Sequence, residues 1–313
     1  MTAPRLIYKC IYIFSCRYAL RLPKAGETIH GYKFTTSYGG KGANQCMAAA
    51  KLDAKPAMIC RVGGDQWGQK YKDHLESNGV NVTHVYLTPN ETTGVAQISV
   101  SKDGQNQIVI VPGANGHLSI ADVHDAKDII VNADVLIGQL ETPFEATVEA
   151  FKMNKNIKIL NAAPSMEDIN AILPYCTILC INEVEASIMT NLDVIDIRSA
   201  ASAIGKLLMT GCDTIIITLG ENGAIFATKN KQPIHVLCDK VNPVDTTGAG
   251  DAFVGALATF LDSHKSKPLH QIIGAACHIA SLSVTKEGTQ TSYPTNCNVF
   301  DKEYEYIEIK QNL

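Results

Sequence analysis

A chain of 313 residues, 46% hydrophobic and 19% charged, has ample length and apolar content for a well-buried core. Its formal net charge of −4 leaves no electrostatic footprint for nucleic acid or an anionic membrane, and no apolar run reaches spanning length. In chain order, residues 6–14 read as a buried strand. A secretory reading of 6–16 is opposed by Lys9 inside the run and by Arg17 directly after it, with no small-residue cleavage site. Further short, β-branched runs occupy 57–62, 135–140, 157–160, 178–181 and 214–219. Helical patterns fall between them at 42–53, 66–78, 119–131, 144–154 and 196–210. The last is the most regular, with Ala200, Ala203, Ile204, Leu207 and Leu208 on one face. Continuous apolar strands separated by amphipathic helices imply an α/β fold whose parallel sheet is covered on both sides. Residues 28–38 and 94–111 instead alternate polar and apolar positions, with Asp103-Gly104 as a hairpin turn. They read as a small β lid of about 17–40 and 94–112 on a single domain spanning 1–313. Ten cysteines are scattered without metal-like pairing, Cys176 and Cys180 being the nearest neighbours, which suits buried reduced thiols in a cytosolic protein.

Two glycine-rich turns carry the chemistry. Asp245-Thr246-Thr247-Gly248-Ala249-Gly250-Asp251 runs into an apolar helical stretch, so its backbone N–H groups gather at a helix start, where an anion is favoured. Asp251 would place a carboxylate beside that anion site; the plainer reading is a helix N-cap. Gly39-Gly40-Lys41-Gly42-Ala43-Asn44-Gln45 also precedes a helix. It lacks the P-loop ending and the dinucleotide fingerprint, but Asn44 can donate to and accept from vicinal hydroxyls. Polar residues recur just after the strand runs: Glu141, Asn182 with Glu185, and Gly220 with Gly223. In an open parallel sheet, ligands bind at that edge.

These two turns, together with Asn182-Glu183-Val184-Glu185, resemble the ribokinase (PfkB) family of carbohydrate kinases. The likeness runs from Arg21-Leu22-Pro23-Lys24-Ala25-Gly26-Glu27-Thr28 to Gly288-Thr289-Gln290-Thr291-Ser292-Tyr293-Pro294. It implies a ribokinase-like three-layer α/β/α sandwich with a mostly parallel central sheet and a small β-sheet lid. It further implies ATP-dependent phosphorylation of the ribose 5-hydroxyl in the cytoplasm or nucleus, by a homodimer joined through the lid. By resemblance Asp251 is the base, and the backbone of Gly248, Ala249, Gly250 and Asp251 forms an anion hole. Gly40, Lys41, Gly42, Ala43, Asn44 and Glu141 hold the sugar. Asn182, Thr218, Leu219, Gly220, Glu221, Asn222, Gly223, Gly250 and Cys277 hold the nucleotide, and Glu185 reaches Mg²⁺ through water. Asp245, Thr247, Ser283, Lys286, Gly288 and Ser292 surround an activating K⁺. The family's first strand runs into a Gly-Ser-x-x-x-Asp segment whose Asp grips sugar hydroxyls. Here Ser15-Cys16 is the nearest match, several residues too close to Arg21, and no acidic residue precedes Glu27. A chain that keeps the nucleotide site without ribose binding, or a kinase for another sugar or nucleoside, is the alternative. Adenosine kinase, a dinucleotide oxidoreductase and a nucleic-acid binder fit less well.

Overall fold

The computed structural model describes residues 10–166, 168–295 and 297–309, and the backbone of 6–8. Its strands are β1 (Leu6–Tyr8), β2 (Tyr12–Ala19), β3 (Gly31–Gly39), β4 (Pro56–Gly63), β5 (Asn81–Thr88), β6 (Val95–Ser101), β7 (Asn106–Val111), β8 (Val135–Gly138), β9 (Ile157–Asn161), β10 (Ile178–Asn182), β11 (Thr214–Thr218), β12 (Ala224–Thr228), β13 (Ile234–Val236) and β14 (Tyr306–Glu308). The helices are α1 (Lys41–Lys51), α2 (Gln66–Ser77), α3 (Ile120–Asp125), α4 (Lys127–Asn132), α5 (Phe144–Met153), α6 (Glu183–Thr190), α7 (Ile197–Leu208), α8 (Ala249–Ser263) and α9 (Leu269–Ser283).

Side chains alternate between the two faces of a strand, and here both faces are buried. Met58, Cys60, Ile137, Cys180 and Ile216 enter one cluster with α1, α2, α8 and α9. Their neighbours Ile59, Leu136, Leu179, Ile215 and Ile217 enter a second cluster with α3 to α7. The result is a three-layer sandwich around a ten-stranded sheet in the order β14-β13-β12-β11-β10-β9-β8-β1-β4-β5. The pairs from β11 to β5 are parallel, and those from β11 outward to β14 are antiparallel. A separate four-stranded sheet, β3-β2-β6-β7, stands beside it, its β6–β7 hairpin turning at Gly104 with φ +85°. Among the described residues no helix is long and apolar enough to cross a membrane, and all ten cysteines are unbridged.

One expected strand is two. The run 6–14 gives β1 to the large sheet and β2 to the small one, with the chain crossing over between Tyr8 and Tyr12. Lys9 lies outside the described residues. Periodicity cannot divide a continuous apolar run, but the backbone does so at Cys10, whose φ is +71°. Ser15 and Cys16 consequently lie within β2, paired with Thr36 and Thr35, rather than at the end of the first strand. The 119–131 helix is likewise broken at Ala126 into α3 and α4.

Candidate active site

Asp251 sits in the first turn of α8, which begins at Gly248 in the left-handed conformation (φ +80°). An Asp at that position commonly caps the helix, but this one does not. Its oxygens accept instead from another element. Asn44 Nδ2 donates to Oδ2 and Gln45 Nε2 to Oδ1, each at 2.9 Å, both from α1. The side chain is 9% exposed. Burial pushes its carboxyl above the usual range, while the Lys41 ammonium and the two amide donors pull against that rise. The N–H of Ala249 is taken by Thr246 O and that of Ala252 by Gly248 O.

The sugar-loop residues form the start of α1. Gly40 caps it with φ +93°, and a Cβ there would lie 2.6 Å from Tyr12 N and 2.9 Å from Ile11 C. Only glycine permits both that backbone and that approach, so the two chains touch where β1 crosses into β2. Cys10 fills the corner. Its carbonyl accepts from Ala43 N–H, its sulfur accepts from Gly42 N–H, and its thiol donates to Glu141 Oε2 at 3.2 Å. Burial and the neighbouring Glu141 hold that thiol protonated. Asn115 grips the same crossing, accepting from Ile11 N–H and donating to Ile11 O. Lys41 is the local cation. Burial works to lower its pKa, yet the Asp251, Glu141 and Glu185 carboxylates outweigh it and hold the ammonium charged. Burial raises Glu141 and Glu185 in turn. Three carboxylates and one lysine therefore share the carboxyl edge of the sheet.

Asn182 ends β10 and caps α6. Its Oδ1 accepts from Glu185 N–H at 2.8 Å, and Glu185 Oε2 accepts from Asn182 N–H at 2.9 Å, a reciprocal capping box. The box leaves Asn182 Nδ2 and Glu185 Oε1 out of its hydrogen bonds. Asn182→Ala is expected to lower unfolding stability by about 1 kcal/mol in urea titration, the usual value of such a cap. Thr218 ends β11; Leu219 accepts the turn that follows, its N–H donating to Gly223 O, and Gly220, Glu221 and Asn222 form a 3-10 turn. Cys277 lies buried in α9. The 245–251 turn packs against the C-terminal loop: Asp245 Oδ1 accepts from Thr247 N–H and Oδ2 from Gly288 N–H, each at 2.9 Å. The Ser283 and Ser292 hydroxyls are buried and donate to Ala280 O and Thr289 O, and Lys286 is exposed.

Several polar residues here carried no role in the sequence reading: Gln45, Gln139, Asn161 and Gln290. Gln290 Nε2 donates to Asn44 Oδ1 and to Tyr71 Oη. Asn44 is therefore 2% exposed and bonded at both ends of its amide, which leaves one Nδ2 hydrogen for a ligand. Gln45 and Gln290 stood inside the quoted motifs, but only tertiary contact shows what they touch.

The sequence pattern of the pfkB family carbohydrate kinase matches residues 9–296. Mouse (Mus musculus) ribokinase is 43% identical over 279 residues, 88% of this chain and 86% of that one. Deoxyribokinase of Salmonella typhi is 37% identical over 284 residues, 89% of this chain and 91% of its own. The solved structure of Arabidopsis thaliana ribokinase complexed with ribose and ATP shares 30% identity at a TM-score of 0.88, covering 96% of this chain and 98% of that one. With the match running across both glycine turns and every strand edge just described, the chain belongs to the pfkB family of carbohydrate kinases.

Proposed function

We propose that the protein transfers the terminal phosphoryl group of ATP to the 5-hydroxyl of ribose, giving ribose 5-phosphate and ADP. The observation that carries this reading is Asp251, a buried carboxylate free of capping duty, at a helix start, held by Asn44 and Gln45 and attracted by the Lys41 ammonium of the same loop. Asp251 accepts the hydroxyl proton. The Gly248, Gly250 and Asp251 amides would face the transferring phosphoryl group, whose transition state is stabilised chiefly by positioning and electrostatics, while the Ala249 N–H is engaged with Thr246 O and shapes the turn. Lys41 neutralises charge, and Gly40 to Asn44 with Glu141 hold the sugar. Thr218 to Gly223, Asn182, Gly250 and Cys277 hold the nucleotide.

Among the described residues no three His, Cys, Asp or Glu side chains converge as a protein-only metal cage. That suits Mg²⁺ held between nucleotide phosphates and water, with Glu185 reaching it through water. The ion would shield phosphate charge. K⁺ would bind among Asp245, Thr247, Ser283, Lys286, Gly288 and Ser292, largely through carbonyls. The Asp245–Gly288 hydrogen bond already ties the two segments such an ion would bridge. A lid-to-lid homodimer is supported by Tyr32, Phe34, Ile108, Val109, Ile110 and Val111, each at least half exposed on the small sheet. The cytoplasm, or the nucleus, suits such an enzyme and its unbridged thiols.

A second reading rests on one face of β2. Tyr12, Phe14 and Cys16 alternate along that face, and none is a carboxylate that could grip a diol. The chain would then bind nucleotide without ribose, or prefer a different sugar. The test follows ADP release with ribose, 2-deoxyribose and adenosine, in K⁺ and in tetramethylammonium. Ribose-dependent turnover, faster in K⁺, is the expected result. Turnover equal in both cations would remove the K⁺ site, and none with any acceptor would remove the kinase assignment.

A further inference from the structure

Behind Asp251 lies a chain of side-chain amides whose polarity is set by the carboxylate itself. Gln45 Nε2 donates at 2.9 Å to Asp251 Oδ1 and at 2.9 Å to Asn161 Oδ1. With both amide hydrogens committed to oxygens, Gln45 Oε1 needs a donor, and Gln139 Nε2 supplies one at 2.6 Å. Asn161 is anchored in turn, its Nδ2 donating to Cys180 O on β10. Turned end for end, the Gln45 amide would set its oxygen against a carboxylate, and Gln139 would face it with a donor where Gln45 also donates. The arrangement shown is the one in which Asp251 is an anion.

The chain also has a cost. Gln139 Oε1 is buried and has no hydrogen-bond partner among the described residues. An orphaned buried carbonyl is rare in a folded protein and is expensive when packing alone is served. Gln45 is 0% exposed and Gln139 1%, so neither reaches a ligand in the crevice. Whatever they do for the reaction passes through Asp251. Each sits on a rigid element: Gln45 on α1, Asn161 at the end of β9, and Gln139 directly after β8. Those three elements converge with α8 on this carboxylate, a setting suited to fixing a reacting group within a fraction of an ångström.

We propose that Gln45 is the positioning residue that holds the Asp251 carboxylate in its reactive orientation, and that Gln139 fixes which end of the Gln45 amide it meets. This rests on the kinase reading above only where turnover is measured. The charged and titratable groups around Asp251 are Lys41 on α1, Glu141 after β8, Glu185 on α6, Cys10 at the strand crossing and Tyr293 in the C-terminal loop. None of these is altered by changing either glutamine.

The experiment uses full-length Gln45→Met and Gln139→Met proteins and two readouts. In the first, kcat for ribose phosphorylation is followed against pH. Gln45→Met is expected to lower kcat at neutral pH about tenfold or more and to move the acid limb to higher pH, because a donor that favours the charged carboxylate is gone. KM for ATP should stay within about twofold, as the nucleotide half is untouched. Gln139→Met should move both in the same direction by less. In the second, the Asp251 carboxyl is titrated by carbon-13 NMR of aspartate-labelled protein, assigned with Asp251→Asn, and should move with the acid limb. The NMR readout needs no turnover. If the wild type moves no phosphate but the carboxyl titration shifts in Gln45→Met, the positioning stands and the kinase reading falls. A loss of kcat with an unmoved acid limb and an unmoved carboxyl titration overturns the positioning. Should Gln45→Met not fold, Gln139→Met, which leaves both donors to Asp251 in place, decides the matter by the same two measurements.

Discussion

Asp251→Asn is expected to lower kcat by about 10²–10⁴, the range that general base catalysis contributes, while ATP and sugar affinities change little. The replacement keeps shape and volume but removes a carboxylate placed both at the helix start and against the sugar loop. Were Asp251 merely a cap, the substitution would be nearly silent, since Asn caps as well as Asp. The geometry separates the two cases before any assay: the Asp251 oxygens accept from Asn44 and Gln45, and Gly248 caps the helix without side-chain help. In the wild type, activity should fall as pH drops through the Asp251 value, which burial has raised above the ordinary carboxylate range. Stability has the opposite sign. A carboxyl whose folded value is raised contributes stability that is present below its unfolded value and is lost as pH rises through the folded one. At neutral pH the ionised Asp251 therefore costs the fold something; conversion to Asn removes that charge but sets an amide donor against Asn44 Nδ2 or Gln45 Nε2, so the thermal midpoint should fall modestly. Steady-state kinetics with thermal unfolding checks both halves. An Asp251→Asn enzyme that turns over within a few-fold of wild type would remove Asp251 from the chemistry.

The contrast between Asp251 and Asn182 shows what a one-dimensional reading can reach. Both stand at helix starts in polar motifs. One, read as a base with capping as the plainer alternative, leaves the cap to Gly248 and accepts from Asn44 and Gln45; the other, expected at the nucleotide, is engaged in a capping box with Glu185. Sequence spacing is identical in kind for the two; what differs is whether a second element approaches. The central strands were legible because their apolar runs are short and bounded. Helices α1, α2, α5 and α7 were legible because one face of each is polar. Helix α9 was not, since Ile272, Ile273, Ala275, Ala276, Cys277 and Ile279 bury it nearly all round and erase the helical period. Strands β13 and β14 were missed for a different reason: they have three residues each, too little for alternation to register. The amides of Gln45, Gln139, Asn161 and Gln290 come from four separate segments. Their roles exist only once α1, the ends of β8 and β9, and the C-terminal loop are packed together.

Phe14→Asp is expected to tighten ribose binding by about 10–100-fold, one charge-assisted hydrogen bond being worth roughly 1.5–3 kcal/mol. Side chains at 12, 14 and 16 share one face of β2. At position 12 the tyrosine is buried, and its hydroxyl is pushed up by that burial and by Glu141. At position 14 the ring lies on the glycine turn: a Cβ added to Gly39 would fall 2.4 Å from Phe14 Cε2. An aromatic ring therefore packs on the backbone at Gly39, next to Gly40. A ring offers a diol no acceptor, so on the kinase reading the polar contacts to the sugar would come from Asn44, Glu141 and the backbone. A carboxylate at 14 would restore an acceptor able to take two hydroxyl donors at once. Phe14→Asn, equal in size and neutral, separates charge from the mere loss of the ring, and should recover only a small part of the gain. Calorimetric titration of ribose, with and without a nonhydrolysable ATP analogue, measures each variant, and nucleotide affinity should stay constant throughout. If Phe14→Asp binds ribose no better than wild type while ATP binding is intact, the ring is not what separates this crevice from its sugar, and Cys10, wedged between Glu141 and the start of α1, becomes the residue that sets the pocket's preference.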